Sequence, residues 1–404
     1  MNTQLAKLKK VAIFLSAIST ASIPAMAHAD WSIKGLGFLG AKEFYQYSYA
    51  SGINDSGQVV GYSGTRGEAS NHAFITGLNG IGMTDLGILG GEGQSHANGI
   101  NGSGQVVGES DTAGGSHHAF ITGPNGIGMT DLSIVGGAVV YSEAFGINDS
   151  GQVVGVTLGR GFHGFITGPN GIGMTGLGDS VPRAINDSGQ VVGRYFPEGL
   201  THAFITGPNG IGMTDLGTLG GPLSDAYDIN ASGQVVGGAE IHRDNPAIGY
   251  THAFITGPNG IGMTDLGTLG GYYSHANGIN DSGEVVGVAT TATGEYQSHS
   301  FIFSHGGITD LSLLAPVVAA EWTNIVVTSI NNNGQMVGYG YNGEYEEAFL
   351  LSYTPDTLFT PRPIYIPPLN PPPPPIPEPE TYLMLLGGLG LIGYLARRRK
   401  ETAI

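Results

Sequence analysis

The feature that most constrains this chain is a unit read seven times. Residues 226–271 run AYDINASGQVVG, then a variable stretch, then THAFITGPNGIGMTDLGTLGG. The Ile-Asn-x-Ser-Gly-Gln-Val-Val-Gly portion begins at Ile53, Ile100, Ile147, Ile185, Ile229 and Ile279, the last with Glu284 for Gln, and in a looser form at Ile330. Successive copies lie 47, 47, 38, 44, 50 and 51 residues apart. Periods of roughly 20 to 50 residues belong to arrays in which one repeat cannot bury its apolar face alone. The reading is therefore one array, although length alone would suggest two or three domains.

Each unit reads as four short strands. Ala-x-x-Ile-Asn is the first, and Asn-x-Ser-Gly is a turn in which Asn bonds its own backbone and Gly supplies positive φ. Gln-Val-Val-Gly is the second strand, followed by a variable loop. His-Ala-Phe-Ile-Thr is the third, Gly-Pro-Asn-Gly the next turn, and Met-Thr-Asp-Leu-Gly the fourth strand. Helical periodicity is missing. The last unit, Ile330 to Tyr353, lacks its fourth strand, and Trp31-Ser-Ile-Lys-Gly-Leu-Gly-Phe-Leu-Gly40 aligns with GMTDLGTLGG. A chain that begins with the outer strand of its final blade closes a ring and hides both sheet edges. The expected fold is all-β, a seven-bladed β-propeller over residues 30–353 closed by the N-terminal strand. A β-solenoid is the alternative.

Seventy glycines and 12% charged residues suit short strands and tight turns. Between Asp30 and Tyr353 there are 7 Lys/Arg against 28 Asp/Glu. Nucleic acid is excluded as a partner, because phosphate binding needs clustered cations. There is no cysteine, so neither disulfides nor thiol chemistry contributes.

The two ends carry an address. Lys7, Lys9 and Lys10 precede an apolar run that closes on the small-residue sites Ala25-Met26-Ala27 and Ala27-His28-Ala29, so residues 1–29 read as a secretory signal peptide. Residues 354–376 form a Pro-rich linker biased to polyproline II. An apolar helix over 381–396, about 24 Å long, and a basic cluster over 397–400 complete the chain. This single short transmembrane helix would leave the basic cluster cytoplasmic and the repeats outside.

Residues 377–400 resemble the PEP-CTERM sorting signal of Gram-negative bacteria. Pro377, Glu378 and Pro379 are followed by a glycine-rich apolar helix and then by Arg397, Arg398 and Arg399. The resemblance implies an exosortase as partner, transient residence in the inner membrane, and transfer to the cell surface or extracellular matrix. The units also resemble the HAF-repeat family of extracellular bacterial proteins, through His-Ala-Phe at His72, His118, His202 and His252. The pattern departs at His163-Gly164-Phe165, His299-Ser300-Phe301 and Glu347-Ala348-Phe349. That resemblance implies location and class only.

The repeated polar residues read as structure. Recurring histidines lie in different units and are expected to bond a neighbouring strand, not a metal. The residue after the recurring Asn is Asp55, Gly102, Asp149, Asp187, Ala231, Asp281 or Asn332, and a position that tolerates Gly and Ala is no calcium ligand. Ser56, His72 and Asp85 recur as a set, and several copies of a triad would make an odd enzyme. No catalytic residue, metal or cofactor is expected.

Function is expected on the face that does not repeat. The Asn-x-Ser-Gly and Gly-Pro-Asn-Gly turns share one face, so the variable loops share the other. Tyr195, Tyr250, Tyr272, Tyr273, Tyr296, Trp322 and Tyr341 belong to the second face, with Tyr62, Phe196 and Tyr345 beside them, as candidate contacts for a glycan or protein. The expected function is a structural or binding component, with exopolysaccharide or a surface protein as partner, and not an enzyme. The alternative is a carbohydrate-active hydrolase or lyase on a propeller scaffold, for which Glu240, Asp244, Glu295 and Glu344 are the acidic candidates.

Overall fold

The computed structural model describes residues 30–354 apart from 41–45, 66–69, 91, 133–140, 160, 242–249 and 293–297. The signal peptide, the Pro-rich linker, the 381–396 helix and the sorting residues lie outside this set. Among the described residues no helix is long and apolar enough to cross a membrane. The single transmembrane helix expected over 381–396 is outside the residues to which this applies.

Four antiparallel strands recur where the pattern placed them. In the fifth unit they are Gly220–Ile229, Val235–Ile241, Tyr250–Thr256 and Met263–Gly267, hydrogen-bonded in that order. The first strand bulges against the second, here between Ala226 and Asp228. The bulge brings one backbone onto another at the glycine of Gln-Val-Val-Gly. A Cβ built on Gly237 would lie 2.0 Å from the carbonyl oxygen of Asp225, and one on Gly61 would lie 1.9 Å from that of Tyr49. No side chain fits there.

The N-terminal strand Asp30–Gly35 pairs with Glu346–Thr354, from Asp30 opposite Thr354 to Gly35 opposite Phe349. It is thus the outer strand of the sheet that ends the array, as the alignment with GMTDLGTLGG implies. The expectation of a seven-bladed β-propeller is corrected. Five blades are separate four-stranded sheets, and the second and third units merge into one eight-stranded sheet. The merger runs through a parallel bridge between Tyr141 and His117. These units have short fourth strands, Met129–Asp131 and Met174–Gly176, so the first of them leaves the end of its sheet open to its neighbour.

Apolar packing lies between consecutive units. One cluster joins Val192, Ala203 and Ile205 of the fourth unit to Ile229, Val235 and Phe254 of the fifth. Another joins Val337, Ala348 and Leu350 of the last unit to Ile53, Val59 and Phe74 of the first. The phenylalanine of each third strand (Phe74, Phe120, Phe165, Phe204, Phe254, Phe301 and Phe349) is shut away from solvent. Burying one such side chain contributes about 1.5–3 kcal/mol. A core shared between last and first units also rules out the open solenoid.

Candidate binding face and central channel

The recurring polar residues turn out to hold unit to unit. Asn54 accepts at its Oδ1 from the amides of Ser56 and Gln58, and donates from Nδ2 to Gln58 Oε1 and to the carbonyl of Asn101. The bond to the next unit's carbonyl repeats at Asn101, Asn148, Asn186, Asn230 and Asn280, and Asn331 donates back to the carbonyl of Asn54. A closed ring of hydrogen bonds results. The next residue reinforces it, since Asp149, Asp187, Asp281, Asn332 and Asp55 each accept from the backbone amide of the preceding unit.

A second tie crosses between the two kinds of turn. Gln58, Gln105, Gln152, Gln190 and Gln335 donate to Asn125, Asn170, Asn209, Asn259 and Asn79 in the Gly-Pro-Asn-Gly turn of the following unit, which at Asn79 reads Gly-Leu-Asn-Gly. Each of those asparagines is left-handed, with φ between 53° and 57°, a conformation Asn tolerates better than most residues. Both turns therefore share one face, and their side chains are spent on assembly.

The histidines are structural as well. His72, His118, His202, His252 and His299 present Nδ1 to Asp85, Asp131, Asp215, Asp265 and Asp310 on the adjacent fourth strand, at 2.7–3.0 Å. Ser56 is not with its supposed partners His72 and Asp85, because it sits in the first turn with its amide on Asn54. Among the described residues no group of three or more His, Cys, Asp or Glu could hold a metal ion.

The candidate contact residues divide. Tyr250 stacks on Tyr272, ring centroids 5.0 Å apart, and meets Tyr273 at 5.6 Å. Tyr272 is exposed and the other two are half-buried, so these three form a patch. Tyr341 and Phe196 are exposed on other units. Tyr195 is half-buried, its hydroxyl donating to Asp215 at 3.1 Å. Tyr345 packs edge-on against Phe38. Tyr296 lies outside the described residues, as do Asp244 and Glu295. Glu240 is half-buried in the strand Val235–Ile241, and Glu344 is exposed.

Trp322 corrects the sequence reading. Only 7% exposed, it packs edge-on against Phe349 in the core between the sixth and last units. An insertion replaces the usual Gly-rich link there and includes the short helix Ala315–Ala319, whose Val317 joins the same core. The tryptophan was drawn inward because the inserted segment brings apolar side chains of its own.

Sequence reasoning missed a row of side chains around the inner strands. The residue after Val-Val-Gly meets the residue that follows the buried serine (Ser48, Ser95, Ser142, Ser224 or Ser274) of a neighbouring unit's first strand. Tyr339 lies against Tyr49, Tyr62 against His96, and Arg194 pairs with Asp225 at 2.9 Å. A Cβ on Gly238 would strike His275. At the boundary of the second and third units the pair is Glu109 and Glu143, each with an oxygen 3.1 Å from the Tyr141 hydroxyl, whose one proton serves either in turn. Burial and the neighbouring Glu109 carboxylate push Glu143 up. Glu109 is held below its ordinary range: its bond to His96 leads the effects that outweigh burial. The signal was the variation of two adjacent repeat positions in step.

The inner strands also enclose a channel. One mouth, about 230 Å³, is lined by the Ile-Asn-x residues of all the units. A further segment of about 260 Å³ is lined by Phe145, Arg183, Tyr227, Asp228 and their counterparts. Burial raises Asp228 to about 6, although the amides of Ile229 and Ile279 donate to it.

Comparison with known proteins adds an address and a fold. A PEP-CTERM protein-sorting motif matches residues 375–400, which marks an exosortase-sorted extracellular protein of a Gram-negative bacterium. Residues 223–350 match a protein of unknown function (DUF3466), short of half the chain, and no HAF-repeat family matches. None of the curated proteins compared with the chain is similar to it. The β-propeller domain of the Trilobed protease from Pyrococcus furiosus is similar with a TM-score of 0.50 and 11% identity, covering 76% of this chain and 95% of that one. YCF48 bound to D1 peptide gives 0.50 and 12%, covering 84% and 100%. At such identities the likeness is one of fold.

Proposed function

We propose that the chain is a cell-surface or extracellular-matrix component that binds a glycan or a surface protein through its variable-loop face. The observation that carries this reading is the division of labour between faces. Repeated side chains on the turn face are consumed by the ring of asparagines, whereas the Tyr250, Tyr272 and Tyr273 rings gather outside it. Stacked, partly exposed rings offer a sugar an apolar platform with hydroxyls at its rim. We assign exopolysaccharide as the favoured partner. On this reading the exported protein passes through the inner membrane on its C-terminal helix, and an exosortase acting at Pro377–Pro379 removes that helix.

Two measurements test it together. Deleting Pro377–Pro379 should leave the protein in the inner membrane, while the intact chain reaches the surface and co-purifies with polysaccharide of the native strain. Surface display that survived the deletion would remove the sorting step. A chain that reached the surface and captured no polysaccharide would remove the binding role.

One observation favours the alternative of a hydrolase or lyase. Glu109 and Glu143 share the Tyr141 hydroxyl, and their proton affinities are pushed in opposite directions, as an acid and a base working together require. Glycan turnover abolished by Glu143→Gln would establish it. The absence of turnover in the intact chain leaves the binding reading.

A further inference from the structure

The channel wall departs from the repeat at one place. Where other units carry Ser51, Asn98, Asn277 or Thr328, three consecutive units carry Phe145, Arg183 and Tyr227, and all line the same cavity of about 260 Å³. The Arg183 guanidinium carbon lies 5.2 Å from the centre of the Phe145 ring and 5.7 Å from that of Tyr227. Rings from the units on either side thus hold the cation in place, and a planar guanidinium suits such stacking.

Its hydrogen-bonding capacity is unspent. Arg183 makes no ion pair among the described residues, and its Nε is closed off from solvent without a partner. Of the Asp225 carboxylate, Oδ2 takes Arg194 at 2.9 Å and Oδ1 is buried without a partner; the Arg183 charge favours the ionised forms of Asp225 and Glu143, but neither is hydrogen-bonded to it. The buried Nε is out of a solute's reach, but the terminal guanidinium nitrogens make no hydrogen bond among the described residues and belong to a side chain that lines the cavity, so this rigidly held arginine is suited to an incoming acceptor. We propose that the channel binds a small monocarboxylate on Arg183, with the two rings flanking it.

Charge selects the class. Arg183 is the sole cation among the residues lining this cavity, and Asp228 shares the wall. With Asp228 in the wall and Asp225 and Glu143 also feeling the guanidinium, the site accepts the smallest added charge, a monoanion held by two parallel N–H bonds to its two oxygens. A phosphate dianion would keep an uncompensated charge beside a carboxyl group. This site is distinct from the tyrosine patch and does not rest on the function proposed for it.

The test uses the full-length chain with 15N-labelled arginine, titrated separately with glucuronate, glucose and inorganic phosphate. Glucuronate should shift one arginine Nε–H resonance saturably, and that resonance should be missing in Arg183→Gln. Glucose should leave it unmoved and phosphate should bind more weakly. By calorimetry, Arg183→Gln should lower glucuronate affinity by about tenfold or more, as expected for loss of a charge-assisted bidentate pair. The proposal is overturned by no saturable shift, by an equal response to glucose, by phosphate binding as tightly, or by unchanged affinity in a folded Arg183→Gln. If that variant fails to fold, the selectivity of the intact chain among the three probes decides.

Discussion

At the scale of the residue, what recurs in this chain recurs because a neighbour depends on it. Asn230 spends its side chain on five bonds, to the amide and hydroxyl of Ser232, to the amide of Gln234, to Gln234 Oε1, and to the carbonyl of Asn280. Asn230→Asp would set a carboxylate oxygen against that carbonyl and should cost about 2–3 kcal/mol, the penalty of a buried acceptor left unpaired, read as a shift in the chemical denaturation midpoint. Gly237→Ala meets a carbonyl 2.0 Å away and should be at least as damaging, whereas Gly267→Ala, where no atom lies within 4 Å of the added carbon, should bear only the strain of its positive φ. Asp228 gives a pH dependence. Burial raises its folded pKa to about 6, above the ordinary carboxylate value, so the folded state binds the proton more tightly. Its contribution to stability is therefore favourable below the unfolded pKa and is lost as pH rises toward and through 6. Denaturation midpoints should fall across that window, and Asp228→Asn should flatten the slope.

At the scale of the element, strand order was legible because turn chemistry punctuates every unit. Asn-x-Ser-Gly and Gly-Pro-Asn-Gly fixed where strands end, and the missing fourth strand of the last unit pointed to Asp30–Gly35. Less legible was whether adjacent units share a ladder. The bridge between Tyr141 and His117 follows from the path of the link between two units, on which the repeat pattern is silent. Trp322 was misplaced for a related reason, since composition alone could not say that an inserted helix would cover it. The ladder from Asp30 to Gly35 leads to a prediction. Removing residues 30–35 would expose Glu346–Thr354 as an unpaired edge, and the shortened chain should unfold at lower temperature and self-associate, as light scattering would report.

At the scale of the whole molecule, every apolar cluster bridges two units and the asparagine ring closes on its first member. Stability thus belongs to the circle and not to any blade, and the repeat sequence is the record of that circle. The two turn-bearing ends of each blade were readable as one face because their residues are the ones that do not vary. The ligand was not readable, since the loops that would meet it share no pattern and the channel departures Phe145, Arg183 and Tyr227 occur once each. The most direct measurement reads both faces in one assay, scoring polysaccharide binding and melting temperature for two variants of the full chain. Tyr250→Ala with Tyr272→Ala and Tyr273→Ala should lose binding and keep its melting temperature, while Asn230→Asp should melt earlier and still bind when folded. Binding retained by the tyrosine variant, or lost by folded Asn230→Asp, would contradict the assignment of assembly to one face and recognition to the other.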